Sequence, residues 1–227
     1  MTQVNPAMPQ HPQFQRQATA RQLAKGLYAI TDGPRGDLLA SARAALQGGA
    51  AMLQYRDKTG DAERRLCEVH ALAGLCGEFG VPLIINDDIE LARAGGATGV
   101  HLGEHDSGIA EARAMLGGAA IIGVSCYDSL QTARDAALAG ADYLAFGAFF
   151  PSVTKPGARR AKPVLLRDAR ELGLPLVAIG GITPENGGSL IAAGADFLAV
   201  VSAVFGARDI RAAARRFAAL FETRDQA

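Results

Sequence analysis

Residues 178–205 read AIGGITPENGGSLIAAGADFLAVVSAVF, a pattern that the rest of the chain repeats. An apolar run breaks on Gly180-Gly181, passes through Thr183-Pro184-Glu185 into a helical pattern, and enters a second apolar run ending at Val201-Ser202. The order is strand, glycine turn, helix, strand. Paired glycines at the carboxyl end of a buried strand let the backbone approach a ligand, because no Cβ intervenes and positive φ is allowed. In an eight-stranded α/β barrel the loops after strands 7 and 8 cradle phosphate. That places a phosphate on Gly181 and Ser202; the plainer alternative is that the glycines only turn the chain.

The same rhythm extends back to Gly26. Apolar runs at 26–31, 52–56, 82–86, 99–102, 120–125, 143–147, 176–180 and 197–201 alternate with Ala/Leu/Arg-rich helical stretches. Gly49-Ala50, Gly96-Ala97, Gly140-Ala141 and Gly194-Ala195 recur 44 to 54 residues apart, each ending a helix ahead of a strand, as left-handed C-cap glycines do. Such self-similarity predicts an α/β (β/α)8 TIM barrel, with two strand–helix units per interval. An open doubly wound sheet is the alternative. Residues 23–227 form the predicted single barrel domain. Residues 1–22, rich in Gln, Pro, Ala and Thr, are expected to be a flexible tail.

A chain of 227 residues with 49% hydrophobic residues and a formal charge of +0 suits one soluble domain with a full core. Balanced charge without basic runs argues against nucleic acid and against a polybasic membrane anchor. No apolar segment approaches a bilayer span, and the expected location is the cytoplasm. Cys67, Cys76 and Cys126 form no CxxC pair and read as reduced thiols, with Cys67 and Cys76 as packing residues on a helix.

In a barrel, the residues that close a strand at its carboxyl end face the ligand. Strand 2 ends in Gln54-Tyr55-Arg56-Asp57-Lys58, and alternation puts Gln54, Arg56 and Lys58 on one face. Such a group inside a barrel calls for an anion, a phosphate or diphosphate. The alternative is a polar loop with Arg56 and Asp57 paired at the surface. Strand 3 ends in Asn86-Asp87-Asp88, and strand 4 runs from His101 to Glu104-His105-Asp106. Carboxylates beside anion-binding cations suggest Mg2+, with Asp87 and Asp106 as ligands. Asp88 and Asp106 also resemble helix N-caps. His101 and His105 raise a transition metal, although a histidine within a strand is more often a hydrogen-bonded core residue. Ser125 ends strand 5 without a Gly-x-Ser-x-Gly elbow, so it reads as a donor to a leaving group and not as a nucleophile. The long loop after strand 6 carries Phe149, Phe150, Ser152, Thr154 and Lys155, a composition suited to a lid, with Lys155 following substrate phosphates.

As a set, Gln54 to Lys58, Asn86-Asp87-Asp88, Val100-His101-Leu102-Gly103, Gly123-Val124-Ser125, Phe150 to Lys155, Ala178 to Ile182 and Val201-Ser202-Ala203 resemble the motifs of the thiamine phosphate synthase family in order. The resemblance implies a transferase of small molecules that joins a hydroxymethylpyrimidine diphosphate to a thiazole phosphate and releases diphosphate. It implies that Gln54, Arg56, Lys58 and Asn86 meet the pyrimidine diphosphate, and that Asp87 with Asp106 holds Mg2+. Ser125 and Lys155 would contact diphosphate, Thr154 the thiazole side, and Gly181, Val201 and Ser202 the thiazole phosphate. The implied chemistry is dissociative, with Phe149 and Phe150 excluding water from a pyrimidine methylene cation. Gly147-Ala148 and Ser152 depart from the family's usual Gly-Pro and Thr, which bears on the lid. A sister group isomerises the thiazole on the same barrel, and a non-catalytic thiazole phosphate-binding protein is a further alternative; Arg56, Lys58, Asp87 and Asp106 together favour the synthase. A homo-oligomer stays open.

Overall fold

A computed structural model describes residues 23–103, 107–151 and 160–222. Eight parallel strands, Gly26–Ile30 (β1), Ala50–Tyr55 (β2), Leu83–Asn86 (β3), Gly99–Leu102 (β4), Ile121–Tyr127 (β5), Tyr143–Phe146 (β6), Leu176–Ile179 (β7) and Phe197–Val200 (β8), pair in chain order. β8 pairs with β1, and the sheet closes. The alternating apolar runs therefore form the TIM barrel, not an open sheet. Its helices are Leu38–Gln47 (α1), Ala62–Phe79 (α2), Ile89–Ala94 (α3), Ser107–Leu116 (α4), Leu130–Ala139 (α5), Val164–Ala169 (α6), Pro184–Ala193 (α7), Ser202–Phe205 (α8) and Ile210–Glu222 (α9). Among the described residues no helix is long and apolar enough to cross a membrane.

Local chemistry sets the boundaries. Asp61, Asp88 and Ser129 accept hydrogen bonds from the backbone N–H groups of Arg64, Leu91 and Thr132, which opens α2, α3 and α5. α7 opens on Pro184, whose missing N–H costs nothing at a first helical position, while Asn186 Oδ1 accepts from Thr183 N at 2.9 Å. Gly49, Gly96, Gly140 and Gly194 all take positive φ, as their spacing predicts. Only Gly49 leads directly into its strand; the others are followed by a two-residue link. β5 runs two residues beyond its predicted end, and its pairing with β6 shifts register between Ser125 and Tyr127.

Period-two alternation divides the strands between two cores. One set, including Leu27, Leu53, Leu83, Val100, Ile122 and Leu144, packs outward against the helices. The other, including Tyr28, Met52, Ile84, Ile121, Tyr143 and Phe197, fills the barrel interior. The Tyr143 ring lies where a side chain at Gly123 would start, since a Cβ there would sit 1.8 Å from Tyr143 Cζ. Residues continuing the inner face toward the carboxyl ends, Gln54, Asn86, His101 and Ser125, are polar, so the packed interior gives way to a polar mouth.

Two packing expectations are corrected. Cys67 is exposed on α2, while Cys76, one helical face away, is buried and its thiol is pushed up to about 12 by that burial. Phe149 is buried in the outer core and Phe150 packs against it, so neither lines the cavity at the mouth. The chain leaving β6 continues beside β7, with Phe149 N and Phe150 N donating to Ile179 O and Gly180 O at 3.2 and 3.0 Å. That pairing leaves Gly147 and Ala148 as the residues facing the cavity.

Candidate active site

The carboxyl ends of the strands surround a cavity of about 290 Å3. β2 delivers Gln54, then Arg56 and Lys58 just beyond its end; β3 delivers Asn86, with Asp87 following; β5 delivers Ser125. Gly181, Val201 and Ser202 line it from the ends of β7 and β8, across the ring of strands from β3 and β4. Nine of the predicted site residues thus share one cavity. Asp106, Thr154 and Lys155 lie outside the described residues, as do His105 and Ser152.

The cationic side is built with care for its backbone. Arg56 N donates to Thr31 Oγ1 at 2.8 Å, and Thr31 Oγ1 in turn donates to Arg56 O at 3.4 Å. This ties the end of β2 to β1 and aims Arg56 over the mouth. Its half-buried guanidinium has no ion pair among the described residues. Asp57, the surface partner of Arg56 in the polar-loop alternative, turns the other way. Its side chain is buried against Arg64 at 2.7 Å and accepts from Thr59 N at 2.8 Å. Burial opposes ionisation of Asp57, but the bonds from Thr59 and Arg64 outweigh it and hold its pKa below the usual carboxylate range. Lys58 is consequently free of Asp57 and lies at the rim, with Nζ 4.0 Å from Asp87 Oδ2.

Asp87 adopts a left-handed backbone, φ 62°, and its N–H donates to His101 O at 2.8 Å. Asn86 Nδ2 donates to Asp87 Oδ2 at 2.7 Å, so the next residue back steers the carboxylate. Asp88 serves as the helix cap that its position predicts, and Asp87 is left for the cavity. Asp87 is the only carboxylate among the described residues that lines the cavity. One rim carboxylate beside substrate oxygens is the donor set a hard divalent cation takes.

Gln54 is buried, yet it needs no anion to satisfy it: its Nε2 donates to the Tyr28 hydroxyl at 2.7 Å. Tyr28 and Tyr143 hydroxyls lie 2.9 Å apart. His101 places Nδ1 at 2.9 Å from the Tyr143 hydroxyl and Nε2 at 2.9 Å from Ser125 Oγ. Burial pushes the imidazole down to about 4, with Asp87 acting against the shift, so it is neutral at pH 7. Both ring nitrogens are engaged by protein, which answers the transition-metal alternative for His101 with the core-residue one. Tyr28 and Tyr143 were not among the predicted site residues. Their signal was a hydroxyl on an inward-facing strand position, which reads as core until the barrel closes.

On the far wall, Gly180 and Gly181 take φ of 102° and 65°. A Cβ on Gly181 would lie 2.3 Å from Pro151 O, so the backbone after β6 presses directly on the turn after β7. Glycine is therefore fixed there by conformation and by space. Tyr127, at φ 53°, also lines the cavity and went unpredicted.

Residues 27–204 match the family described as thiamine monophosphate synthase. The chain is 56% identical over 201 residues to the thiamine-phosphate synthase of Thiobacillus denitrificans, covering 86% of this chain and 94% of that one. It is 55% identical over 202 residues to the thiamine-phosphate synthase of Thioalkalivibrio sulfidiphilus, covering 87% and 96%. Among solved structures, the thiamine phosphate pyrophosphorylase of Pyrococcus furiosus superposes with a TM-score of 0.79 at 34% identity, covering 92% of this chain and 98% of that one. A barrel with this mouth, matched over nearly its whole length by such relatives, belongs to the thiamine monophosphate synthase family of transferases.

Proposed function

We propose that the cavity binds hydroxymethylpyrimidine diphosphate with its diphosphate against Arg56, Lys58, Asn86 and Ser125, and thiazole phosphate with its phosphate at Gly181, Val201 and Ser202. The carrying observation is the convergence of a half-buried Arg56, a rim Lys58 and Ser125 on one side of a cavity whose opposite wall is a glycine turn. A guanidinium with no carboxylate partner among the described residues, at a partly desolvated site, favours a multiply charged anion over water.

The family's reaction joins the two halves and releases diphosphate. In the proposed course diphosphate leaves first, and the thiazole nitrogen captures the pyrimidine methylene cation. Such a step needs charge stabilisation on the leaving group, not a protein nucleophile. Arg56 and Lys58 supply positive charge, Ser125 supplies a hydroxyl donor, and Gln54 closes the floor beneath the pyrimidine. The apolar walls, Ile30, Ala145, Val177, Ile179 and Ala199, keep water from the cation, a task the sequence had suggested for Phe149 and Phe150. Thr154 and Lys155 are assigned to the thiazole side and to the diphosphate, as the family resemblance implies.

Asp87 and Asp106 would hold Mg2+, which when bound would neutralise charge on diphosphate oxygens. The test combines both substrates with the full chain and follows thiamine phosphate. Product should form with Mg2+ and stop on chelation, and Asp106→Ala should lose turnover while thiazole phosphate affinity stays within about threefold. Turnover unaffected by chelation would overturn the metal's role. Tight thiazole phosphate binding without any product would support a binding protein instead.

A further inference from the structure

A line of five polar side chains from five different strands crosses the barrel interior: Gln54, Tyr28, Tyr143, His101 and Ser125. Consecutive members are 2.7, 2.9, 2.9 and 2.9 Å apart. Four of them line the cavity, whereas Tyr143 is fully buried beneath it and cannot meet a ligand. Ring packing holds the geometry: Tyr143 stacks on His101 at 5.6 Å and meets Tyr28 edge-on at 5.9 Å.

The donor inventory gives this line a direction. An amide nitrogen only donates, and a tyrosine hydroxyl has one proton. The Tyr28 and Tyr143 hydroxyls can share their bond in either sense; because Tyr28 already accepts from Gln54, only a bond from Tyr28 to Tyr143, followed by one from Tyr143 to His101 Nδ1, pairs both tyrosine protons within the line. A neutral imidazole that accepts at Nδ1 carries its proton on Nε2 and donates to Ser125 Oγ. Ser125 has then accepted from the protein, and its proton is left for the cavity. With the opposite tautomer Ser125 would donate to His101 and turn lone pairs toward an incoming anion.

We infer that Tyr28, Tyr143 and His101 are positioning residues that orient the Ser125 hydroxyl as a donor to the departing diphosphate. The inference rests on the placement of diphosphate against Ser125 proposed above. None of the three needs to touch the diphosphate; they act by deciding which way one hydroxyl points.

Two measurements on the full chain test it. Side-chain 15N NMR of histidine-labelled protein should show His101 with a protonated Nε2 and a bare Nδ1; a proton on Nδ1 overturns the direction, and this reading needs no variant and no substrate. In single-turnover kinetics Ser125→Ala should slow product formation about tenfold to a hundredfold, the range for one hydrogen bond to a charged group. Tyr143→Phe, which keeps the ring and its packing, should approach that loss in kcat with KM for thiazole phosphate unchanged. The double variant should be no slower than Ser125→Ala alone, because both changes remove the same donor. A Tyr143→Phe enzyme at full rate while Ser125→Ala is slow, or multiplying losses in the double variant, overturns the inference alone. A Ser125→Ala enzyme at full rate overturns the diphosphate placement itself, and leaves the line without a catalytic task.

Discussion

Pro151 O occupies the place where a side chain on Gly181 would begin, 2.3 Å from the position of its Cβ. The turn after β7 and the chain leaving β6 are thus shaped against each other, and the wall proposed to hold the thiazole phosphate depends on both. Gly181→Ala should raise KM for thiazole phosphate by tenfold or more and lower stability by about 1–3 kcal/mol, from positive φ and from overpacking. Steady-state kinetics with thiazole phosphate varied, together with a melting curve, check this; an unchanged KM would remove Gly181 from the phosphate site.

Arg56 is the half-buried cation of the cavity, and Thr31 anchors its backbone. Arg56→Ala should cut kcat/KM for the pyrimidine diphosphate by about 10²–10³-fold, the usual cost of a charge-stabilising donor at a reacting centre. Arg56→Lys should recover only part of it, because an ammonium lacks the planar fork. Full recovery by lysine would show that charge alone matters there.

Gly123 and Tyr143 compete for one volume. Gly123→Ala should destabilise the barrel by about 1–3 kcal/mol, since the colliding atoms belong to a rigid buried ring that cannot swing away. Denaturant unfolding measures it, and a shift below about 0.5 kcal/mol would mean that the interior is looser than described.

Asp57 titrates low because Thr59 N and Arg64 outweigh its burial. A depressed folded pKa contributes stability that is present above the unfolded value, about 3.9, and is lost as pH falls through the folded value below it. Asp57→Asn should therefore cost about 1–3 kcal/mol near neutrality and flatten the loss of stability below about pH 4. A variant with an unchanged acid limb would place that titration elsewhere.

Much of this was legible in the sequence because barrels repeat. Apolar runs that stop on polar residues mark eight strands, and alternation at the end of β2 puts Gln54, Arg56 and Lys58 on one face from the sequence alone. Asp88 was readable as a cap, since capping is local. The line through Tyr28 and Tyr143 was not readable: these residues are 115 positions apart in sequence, and only closure of the sheet brings their hydroxyls to 2.9 Å. The direction of Asp57 was hidden for a related reason, because its partner Arg64 comes from the following helix. Phe149 looked like a lid residue from composition; pairing of the segment after β6 with the end of β7 turns it into the outer core instead. Cys67 failed on helical phase, where nine residues from Cys76 is two and a half turns and the opposite face.

Cationic and hydroxyl groups from β2 and β5 are proposed to hold the departing diphosphate on one side of the mouth, and the glycine turn to hold the other substrate's phosphate. A crystal structure with the pyrimidine diphosphate and Mg2+ bound measures this directly. The diphosphate should lie against Arg56, Lys58 and Ser125, with the metal on Asp87. Diphosphate seated at Gly181 and Ser202, with Arg56 and Lys58 pointing into solvent, would contradict the account.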